Sequence, residues 1–255
     1  MRCFDIQSIF LESRFSNLKF SFMKFGVVVF PGSNCDQDVI HVCSKVMQCE
    51  TRILWHKDTS LQDLTAEDCI MIPGGFSYGD YLRCGAIARF SPIMEKVIQH
   101  ANNGGYVWGI CNGFQVLCES HLLPGALLMN DHQRFICQNQ YLLPQTTNSA
   151  ITRCLDLGEP LNIPIAHGEG RYYADEKTLQ SMKQNDQILF KYCDETGVIK
   201  ESSNPNGSIE NIAGICNAGR NVFGMMPHPE RSAEEVLGNT DGRKLFESLL
   251  NLTVA

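Results

Sequence analysis

The sequence predicts an α/β protein with a doubly wound, mostly parallel sheet and an added antiparallel portion. Strand-like apolar runs alternate with amphipathic helices from residue 25 to about residue 119, which is the order that parallel sheets require. The first run, over residues 25–30, is apolar almost without a break, as expected for a strand covered on both faces. Beyond about residue 134 short strands and turns replace this alternation, which predicts the antiparallel portion.

Size and composition limit the possible classes of protein. A chain of 255 residues with no evident linker is most simply one domain, and 44% hydrophobic residues exclude a disordered chain. The net charge of −7 argues against a nucleic-acid binder, and no uninterrupted apolar run approaches membrane-spanning length. The 12 cysteines include no Cys-x-x-Cys pair, so a zinc or thioredoxin-like site is not expected. A disulfide framework is not expected either, because the chain is large and several cysteines lie inside apolar strand-like runs. Buried, reduced cysteines in a cytoplasmic protein are the interpretation we favour.

The parallel half is predicted from its apolar spacing. Apolar residues recur every three or four positions in the helices, whereas the strands are continuous apolar runs. Pro92 falls inside one helix pattern, so it either kinks that helix or starts a new one capped by Ser91. The predicted strands are 25–30, 51–55, 69–72 and 106–110, and the predicted helices are 36–46, 87–101 and 112–119.

The second half is predicted to contain five strands, at 134–142, 162–166, 188–193, 211–216 and 221–226. A final helix is expected over 240–250, with Thr240 as its cap. Residues 1–22 show only weak periodicity and carry charges that interrupt any signal-peptide core. We therefore expect residues 1–22 to be an extension and residues 23–255 to form the domain. A helix packed on the surface is the alternative for the extension.

Cys111 stands in the pattern Gly-x-Cys-x-Gly, between a predicted strand and a predicted helix. The related pattern Gly-x-Ser-x-Gly forms the nucleophile elbow of hydrolases, a strained turn that exposes the nucleophile at the carboxyl edge of the sheet. Open α/β sheets bind ligands at that edge, and a helix N-terminus favours a thiolate. The pattern predicts a catalytic thiol. A buried structural cysteine between unrelated glycines is the alternative.

A base for this thiol is expected at His228, in the run Met-Pro-His-Pro-Glu directly after the last predicted strand. In an extended segment, residues two apart point the same way, so Glu230 could accept a hydrogen bond from one imidazole nitrogen. The other nitrogen would then face the thiol, as in a catalytic triad. The alternative is a surface His–Glu pair beside a turn.

The glycine-rich segment 72–80 follows a short buried strand and should open at the same edge of the sheet. Adjacent glycines leave backbone N–H groups free to bind a developing oxyanion. The amide of Gly75 or Phe76 is predicted as one donor, and the amide of Asn112 as the other. An ordinary turn is the alternative; a phosphate loop does not fit, because its glycine and lysine pattern is missing.

Taken together, six segments resemble the class I (triad-type) glutamine amidotransferases, over about residue 23 to the C-terminus. This resemblance implies a flavodoxin-like fold and hydrolysis of glutamine to glutamate and ammonia through a cysteine thioester. Within the family, the segments are most similar to a branch that serves purine biosynthesis. The six segments are FPGSNCD (30–36), PGGFSYGD (73–80), GICNGFQ (109–115), AHGEGRY (166–172), NPNGS (204–208) and MPHPER (226–231).

The resemblance also implies roles for individual residues. Cys111 would attack the glutamine carboxamide, His228 would transfer the proton, and Glu230 would orient His228. Gly74, Gln115 and His167 would bind substrate. Gln115 could instead be a structural residue of the helix surface, and His167 could contact a partner subunit or only cap a turn.

Members of this branch are small subunits that pass ammonia to a separate synthetase subunit, with a small accessory protein between them. The resemblance therefore implies no cofactor or metal in this chain, with ATP and Mg²⁺ on the synthetase, and no nucleic acid or membrane as partner. Two other functions remain open from the residues alone. One is a cysteine hydrolase or peptidase of the same fold, and the other is a non-catalytic assembly subunit.

Overall fold

The computed structural model describes residues 23–251, so the predicted extension at 1–22 lies outside the described residues. Elements of this part of the chain are numbered in chain order. The strands are β1 Phe25–Val29, β2 Thr51–Trp55, β3 Cys69–Ile72, β4 Tyr106–Ile110, β5 Ala126–Leu128, β6 Ile136–Pro144, β7 Leu161–His167, β8 Arg171–Tyr173, β9 Ile188–Cys193, β10 Ile212–Cys216 and β11 Val222–Met225. The α-helices are α1 Asp36–His41, α2 Pro92–Asn102, α3 Asn112–Glu119, α4 Glu176–Gln184 and α5 Arg243–Leu249.

Nine of these strands form one mixed sheet in the order β2-β1-β3-β4-β11-β10-β9-β6-β7. The first five in this order pair in parallel, and from β11 to β7 every pair is antiparallel. The parallel part has the strand order of flavodoxin-like folds, with β11 as its fifth strand. The predicted fold class is confirmed, and its antiparallel portion continues the same sheet.

The core lies along the central strands. Every residue of β3 is buried, and so is every residue of β4 after Tyr106. On β4, the Trp108 ring lies 4.9 Å from the ring of Phe246 in α5, measured between centroids. Phe114 of α3 stacks on Tyr172 of β8 at 5.9 Å. The continuous apolar runs of the sequence therefore correspond to strands packed under helices.

Three predicted helices begin or end differently in the structure. The first ends as an α-helix at His41 and continues as a wider π-helical turn over Val42–Val46. The second divides at Ser91, because α2 begins afresh at Pro92, although the Ser91 side chain makes no capping hydrogen bond. The last begins at Arg243, and Thr240 does not cap it; only the Thr240 carbonyl accepts a hydrogen bond, from the Arg243 N–H.

Some short or polar elements were not predicted. Helix α4 buries only Leu179 and Met182 of its nine residues, so its apolar periodicity is weak. Its clearest local signal is Asp175, whose side chain accepts a hydrogen bond from the Thr178 N–H at 2.7 Å. Strands β5 and β8 have three residues each and pair with one another apart from the main sheet.

Two predictions from composition can be compared with residues 23–251. Within this range no helix combines the length and the apolar composition that a membrane crossing requires. The cysteines of this range are free thiols, and most of them are buried, with Cys137 and Cys154 exposed.

Candidate active site

Cys111 occupies the turn between β4 and α3. Its backbone has φ 51° and ψ −106°, a conformation that is strained for any residue other than glycine. The Cys111 N–H donates to the Met225 carbonyl at 2.8 Å, so the neighbouring strand β11 fixes the turn. The structure thus places this thiol in a strained strand-to-helix turn at the carboxyl edge of the sheet.

Two glycines allow this turn to be so tight. A Cβ on Gly113 would lie 1.8 Å from the Ile72 carbonyl oxygen, and a Cβ on Gly109 would lie 2.6 Å from the backbone of Gly113. Helix α3 therefore starts in direct backbone contact with β3 and β4. This close packing determines where the Cys111 side chain leaves the sheet.

His228 and Glu230 form a buried pair beside this turn. The distance from His228 Nδ1 to Glu230 Oε1 is 2.6 Å, and both side chains are almost completely buried. The prediction that the backbone is extended from His228 to Glu230 is wrong, because Pro229–Arg231 forms a 3₁₀ turn. Pro229 favours such a turn by fixing φ near its helical value. The contact between the two side chains forms all the same, across a turn of the backbone.

The charge around His228 favours the protonated imidazole. Burial alone would lower its pKa, but the Glu230 carboxylate and then the Cys111 thiol outweigh burial, so the pKa is raised well above 6.5. Among the described residues, no group makes a hydrogen bond to His228 Nε2. That nitrogen is therefore available to hold and transfer a proton.

Gly74 allows the thiol and the imidazole to approach each other. A Cβ at this position would lie 2.8 Å from His228 Cε1 and 3.3 Å from Cys111 Cβ. The Cys111 thiol is also 3.6 Å from the Ala166 carbonyl oxygen of β7. We predicted Gly74 as a substrate-binding residue, and the structure places it against both members of the Cys–His pair.

Of the three backbone amides predicted as oxyanion donors, one already makes a hydrogen bond within the fold, and two do not. The Phe76 N–H donates to the Gly32 carbonyl at 3.0 Å, so this amide is already used within the fold. Across residues 23–251, neither the Gly75 N–H nor the Asn112 N–H has a hydrogen-bond acceptor. Gly75 has φ 136°, which a side chain would not tolerate. The structure leaves Gly75 and Asn112 as the candidate donors and corrects the alternative choice of Phe76.

Gln115 lies buried one helical turn after Cys111. Its Nε2 donates to the Glu169 carbonyl at 2.5 Å, and its Oε1 accepts a hydrogen bond from Asn112 Nδ2 at 2.8 Å. It is not a helix-surface residue, because only 5% of it is exposed. Gln115 thereby joins helix α3, which follows Cys111, to the loop after β7.

His167 is also buried, at the end of β7. Its Nδ1 donates to Asn130 Oδ1 at 3.1 Å, while Nε2 makes no hydrogen bond within residues 23–251. Burial, and then the charge of His228, lower the pKa of His167 to about 3. His167 is therefore neutral at physiological pH.

One cavity of about 250 Å³ is lined by Cys111, His228, Gly75, Phe76, Gln115 and His167. Its wall also contains residues for which the sequence predicts no role. Several stand in the six similar segments, which was the available signal, whereas Cys84 and Phe135 stand in none. Burial, and then a hydrogen bond with Asp80, raise the pKa of the Cys84 thiol. The lining residues without a predicted role are Asn34, Cys35, Asp80, Cys84, Phe135, Ala166, Gly168, Glu169 and Arg231.

Comparison with known proteins identifies relatives over almost the whole described chain. Residues 23–248 match the model of the CobB/CobQ-like glutamine amidotransferase domain. The phosphoribosylformylglycinamidine synthase subunit PurQ of Nostoc sp. is 57% identical over 233 residues, covering 91% of this chain and 99% of that protein.

Solved structures agree with this relationship. A chain from the PurLQS structure of Thermotoga maritima is 40% identical, with a TM-score of 0.77, over 90% of this chain and 98% of that one. A glutamine amidotransferase from Thermotoga maritima, 13% identical with a TM-score of 0.55, covers 90% of this chain and 98% of its own length and shares the fold alone. The chain belongs to the CobB/CobQ-like glutamine amidotransferase family.

Proposed function

We propose that the chain is the glutaminase subunit of phosphoribosylformylglycinamidine synthase. It hydrolyses glutamine and supplies the ammonia to a separate ATP-dependent subunit. That subunit converts formylglycinamide ribonucleotide to formylglycinamidine ribonucleotide in purine biosynthesis. The observation that carries the proposal is the 57% identity to a PurQ protein over 99% of its length. The buried His228–Glu230 pair beside the strained Cys111 supplies the chemistry.

The first half of the reaction forms a thioester. The Cys111 sulfur attacks the carboxamide carbon of glutamine while His228 holds the thiol proton. Negative charge develops on the carbonyl oxygen, and the free N–H groups of Gly75 and Asn112 can stabilise it. His228 then protonates the departing nitrogen, so the C–N bond breaks and ammonia leaves.

The second half releases glutamate. Water attacks the γ-glutamyl thioester, His228 takes a proton from that water, and the Cys111 sulfur leaves as the acid forms. Glu230 holds the imidazole through its 2.6 Å hydrogen bond and balances the imidazolium charge. It does not touch the substrate in this scheme.

The same proposal assigns the remaining partners. ATP and Mg²⁺ act on the synthetase, and this chain holds neither a cofactor nor a metal for the reaction. The similarity to a chain of the PurLQS structure supports assembly with a synthetase and with a small accessory protein. The cytoplasm is the proposed location.

Labelling with a glutamine analogue that carries a chloroketone tests the proposal. The analogue should alkylate Cys111 and not the other cysteines, because among the cysteines of residues 23–251 only Cys111 combines a strained turn with an adjacent base. Cys84 is the matched control, since its thiol lines the same cavity. Peptide mapping should show that Cys84→Ser keeps the label and that Cys111→Ser loses it.

A glutamate-release assay separates the proposal from its alternatives. Free glutamine should yield glutamate and ammonia in equal amounts, faster with the synthetase present. Cleavage of peptides without glutamine hydrolysis would identify a peptidase of the same fold. A complete absence of glutamate, with labelling spread over several cysteines, would identify a non-catalytic assembly subunit.

A further inference from the structure

A second cavity, of about 410 Å³, opens at the edge of the sheet opposite to Cys111. Tyr106 begins β4 and Arg220 lies just before β11, the parallel neighbour of β4, and both residues line this cavity. Cys111 follows the other end of β4. The five residues of that strand, at roughly 3.3 Å each, separate the two cavities, so this one is distinct from the proposed glutaminase site.

This cavity is basic, although the chain as a whole is acidic. Arg153 and Arg220 line it, none of its lining residues is acidic, and the net charge of the chain is −7. Within residues 23–251 no carboxylate lies at ion-pair distance from either guanidinium. Asp186 holds Arg220 only through its backbone carbonyl, and its carboxylate accepts from the Thr146 hydroxyl at 2.5 Å. Two positive charges therefore face the cavity without a counter-charge.

Backbone carbonyls fix the positions of both guanidiniums. Arg220 donates to three carbonyls, among them that of Asn148 at 2.7 Å. Arg153 donates to two, among them that of Ala150 at 3.3 Å. Asn148 and Ala150 are two residues apart, so one short segment brings the two guanidiniums to the same cavity. A guanidinium has five N–H donors, and each of these two therefore keeps N–H groups for a ligand.

The side chain of Ser149 gives a second, independent indication of a ligand. Ser149 lies between the two residues whose carbonyls hold the arginines, lines the same cavity and is only 6% exposed. Its hydroxyl makes no hydrogen bond to any described residue. Buried polar groups are nearly always paired, so an unpaired hydroxyl beside two unpaired cations indicates a missing acceptor. An anion with several oxygens would supply it.

We propose that Ser149, Arg153 and Arg220 bind the phosphate group of a small phosphorylated ligand. The planar fork of a guanidinium matches the spacing of phosphate oxygens, and the serine hydroxyl adds a further donor. The cavity volume lies within the roughly 300–1,000 Å³ typical of small-molecule sites, which leaves room for a sugar or nucleoside attached to the phosphate. Because the carbonyls already hold the arginines, little side-chain entropy is lost on binding.

Calorimetric titration of the full chain at low salt tests the site and identifies the source of the phosphate. The probes are inorganic phosphate, ribose 5-phosphate and AMP, with adenosine as the probe that lacks a phosphate. Saturable binding of the phosphate probes, and none of adenosine, is expected. Sulfate should compete because it is also a tetrahedral dianion, whereas acetate should not. Tighter binding of an ester would identify a phosphorylated metabolite as the ligand, and equal affinities would identify free phosphate.

Variants of the cavity separate this site from binding elsewhere on the surface. Arg153→Gln should weaken binding of the tightest probe about tenfold or more, because a charge-assisted hydrogen bond is lost. Ser149→Ala should weaken it about threefold or more. Arg171→Gln is the matched control, since Arg171 also donates to a backbone carbonyl, that of Met129, but does not line this cavity. Thermal unfolding would verify that each variant is folded, and equal affinity of the native chain and folded Arg153→Gln would overturn the proposal.

Phenylglyoxal, which modifies arginine, gives a second measurement on the native chain. The tightest phosphate probe should slow the modification of Arg153 and leave that of Arg171 unchanged, as read by peptide mapping. Modification of Arg153 at the same rate with and without the probe, or the absence of saturable binding for every phosphate probe, would refute the site. Neither measurement uses glutamine, so the outcome is independent of the proposed glutaminase function.

Discussion

At the scale of single residues, Glu230 illustrates how a buried carboxylate acts through its neighbour. It reaches the reacting thiol only through the His228 imidazole, whose pKa it raises. We therefore infer a positioning and charge-balancing role for this residue. Its loss should change proton transfer more than substrate binding.

We predict that Glu230→Gln lowers kcat on the order of 10–10³-fold and leaves the KM for glutamine nearly unchanged. The amide can still hold the imidazole, but it stabilises the charged ring poorly. In serine proteases the corresponding change costs about 10⁴ in kcat. A cysteine enzyme should lose less, because a thiol ionises more readily than a hydroxyl. Steady-state kinetics on the assembled complex would measure this, and a raised KM with intact kcat would contradict it.

His167 should make stability depend on acid pH. Its pKa is about 3 in the folded chain, against about 6.5 when unfolded, so between these values the unfolded state binds more protons. Stability contributed by neutral His167 is therefore present above about pH 6.5 and lost as the pH falls towards 3. Between pH 7 and pH 5 the free energy of unfolding should fall by about 2 kcal/mol through this residue.

Urea unfolding of His167→Gln at pH 7 and pH 5 would check this dependence. The variant should lose less stability than the native chain between the two pH values. His121→Gln is the control, because His121 is exposed, and it should keep the native dependence. An unchanged dependence in His167→Gln would show that other groups cause the acid sensitivity.

The sequence singles out Cys111 and His228, which the structure brings together, but it does not reveal what surrounds them. Cys111 and His228 each stand in a short sequence pattern that by itself indicates a nucleophile or a base. The loss of Phe76 as an oxyanion donor depends on a bond to Gly32, 44 residues earlier in the chain. Such long-range pairings have no signature in a short segment.

At the scale of secondary-structure elements, the contact of α3 with β3 controls the position of Cys111. The first turn of α3 packs on backbone atoms, so a side chain there cannot be accommodated by rotation of a neighbour. The central strands could be predicted from the sequence, because a completely buried strand requires an unbroken apolar run. Helix α4 was missed because most of its residues face solvent.

We predict that Gly113→Ala destabilises the chain strongly. The new Cβ would lie 1.8 Å from the Ile72 carbonyl oxygen, so α3 must move away from β3. Overpacking typically costs about 1–3 kcal/mol, and a backbone clash belongs at or above the upper end. A loss of about 3 kcal/mol corresponds to a fall in Tm of roughly 6–12 °C for a domain of this size.

Gly158→Ala is the matched control for thermal unfolding. The nearest atom to its Cβ would be the Asp156 carboxylate oxygen, at 3.3 Å, and the site is exposed. Its free energy of unfolding should change by no more than about 0.5 kcal/mol. A Gly113→Ala variant as stable as this control would show that the elbow has more freedom than its packing indicates.

At the scale of the whole molecule, the mixed sheet brings distant segments to one edge. Strand β7 is four places from β11 in the sheet, yet the His228 N–H after β11 donates to Pro164 of β7 at 2.8 Å. The antiparallel half therefore curls back over the carboxyl edge of the parallel half, and His167 reaches the cavity of Cys111. This curl could not be predicted, because it depends on pairings between strands far apart in the chain.

The last prediction concerns the chain assembled with its synthetase and accessory partners, where glutamine hydrolysis and the ATP-dependent step take place on different subunits. Cys111→Ser should abolish glutamine-dependent synthesis, because a serine hydroxyl ionises far less readily than the thiol.

Synthesis from added ammonia should remain near the native rate, because the ATP-dependent step takes place on another chain and needs only NH₃. The substitution replaces one buried atom and leaves the backbone contacts of the elbow in place. Parallel assays with glutamine and with ammonium chloride on the same complex would measure both activities. If ammonia-dependent synthesis also fails while the complex stays assembled, Cys111 must act on the synthetase as well as on glutamine, and the two reactions are not separable as proposed.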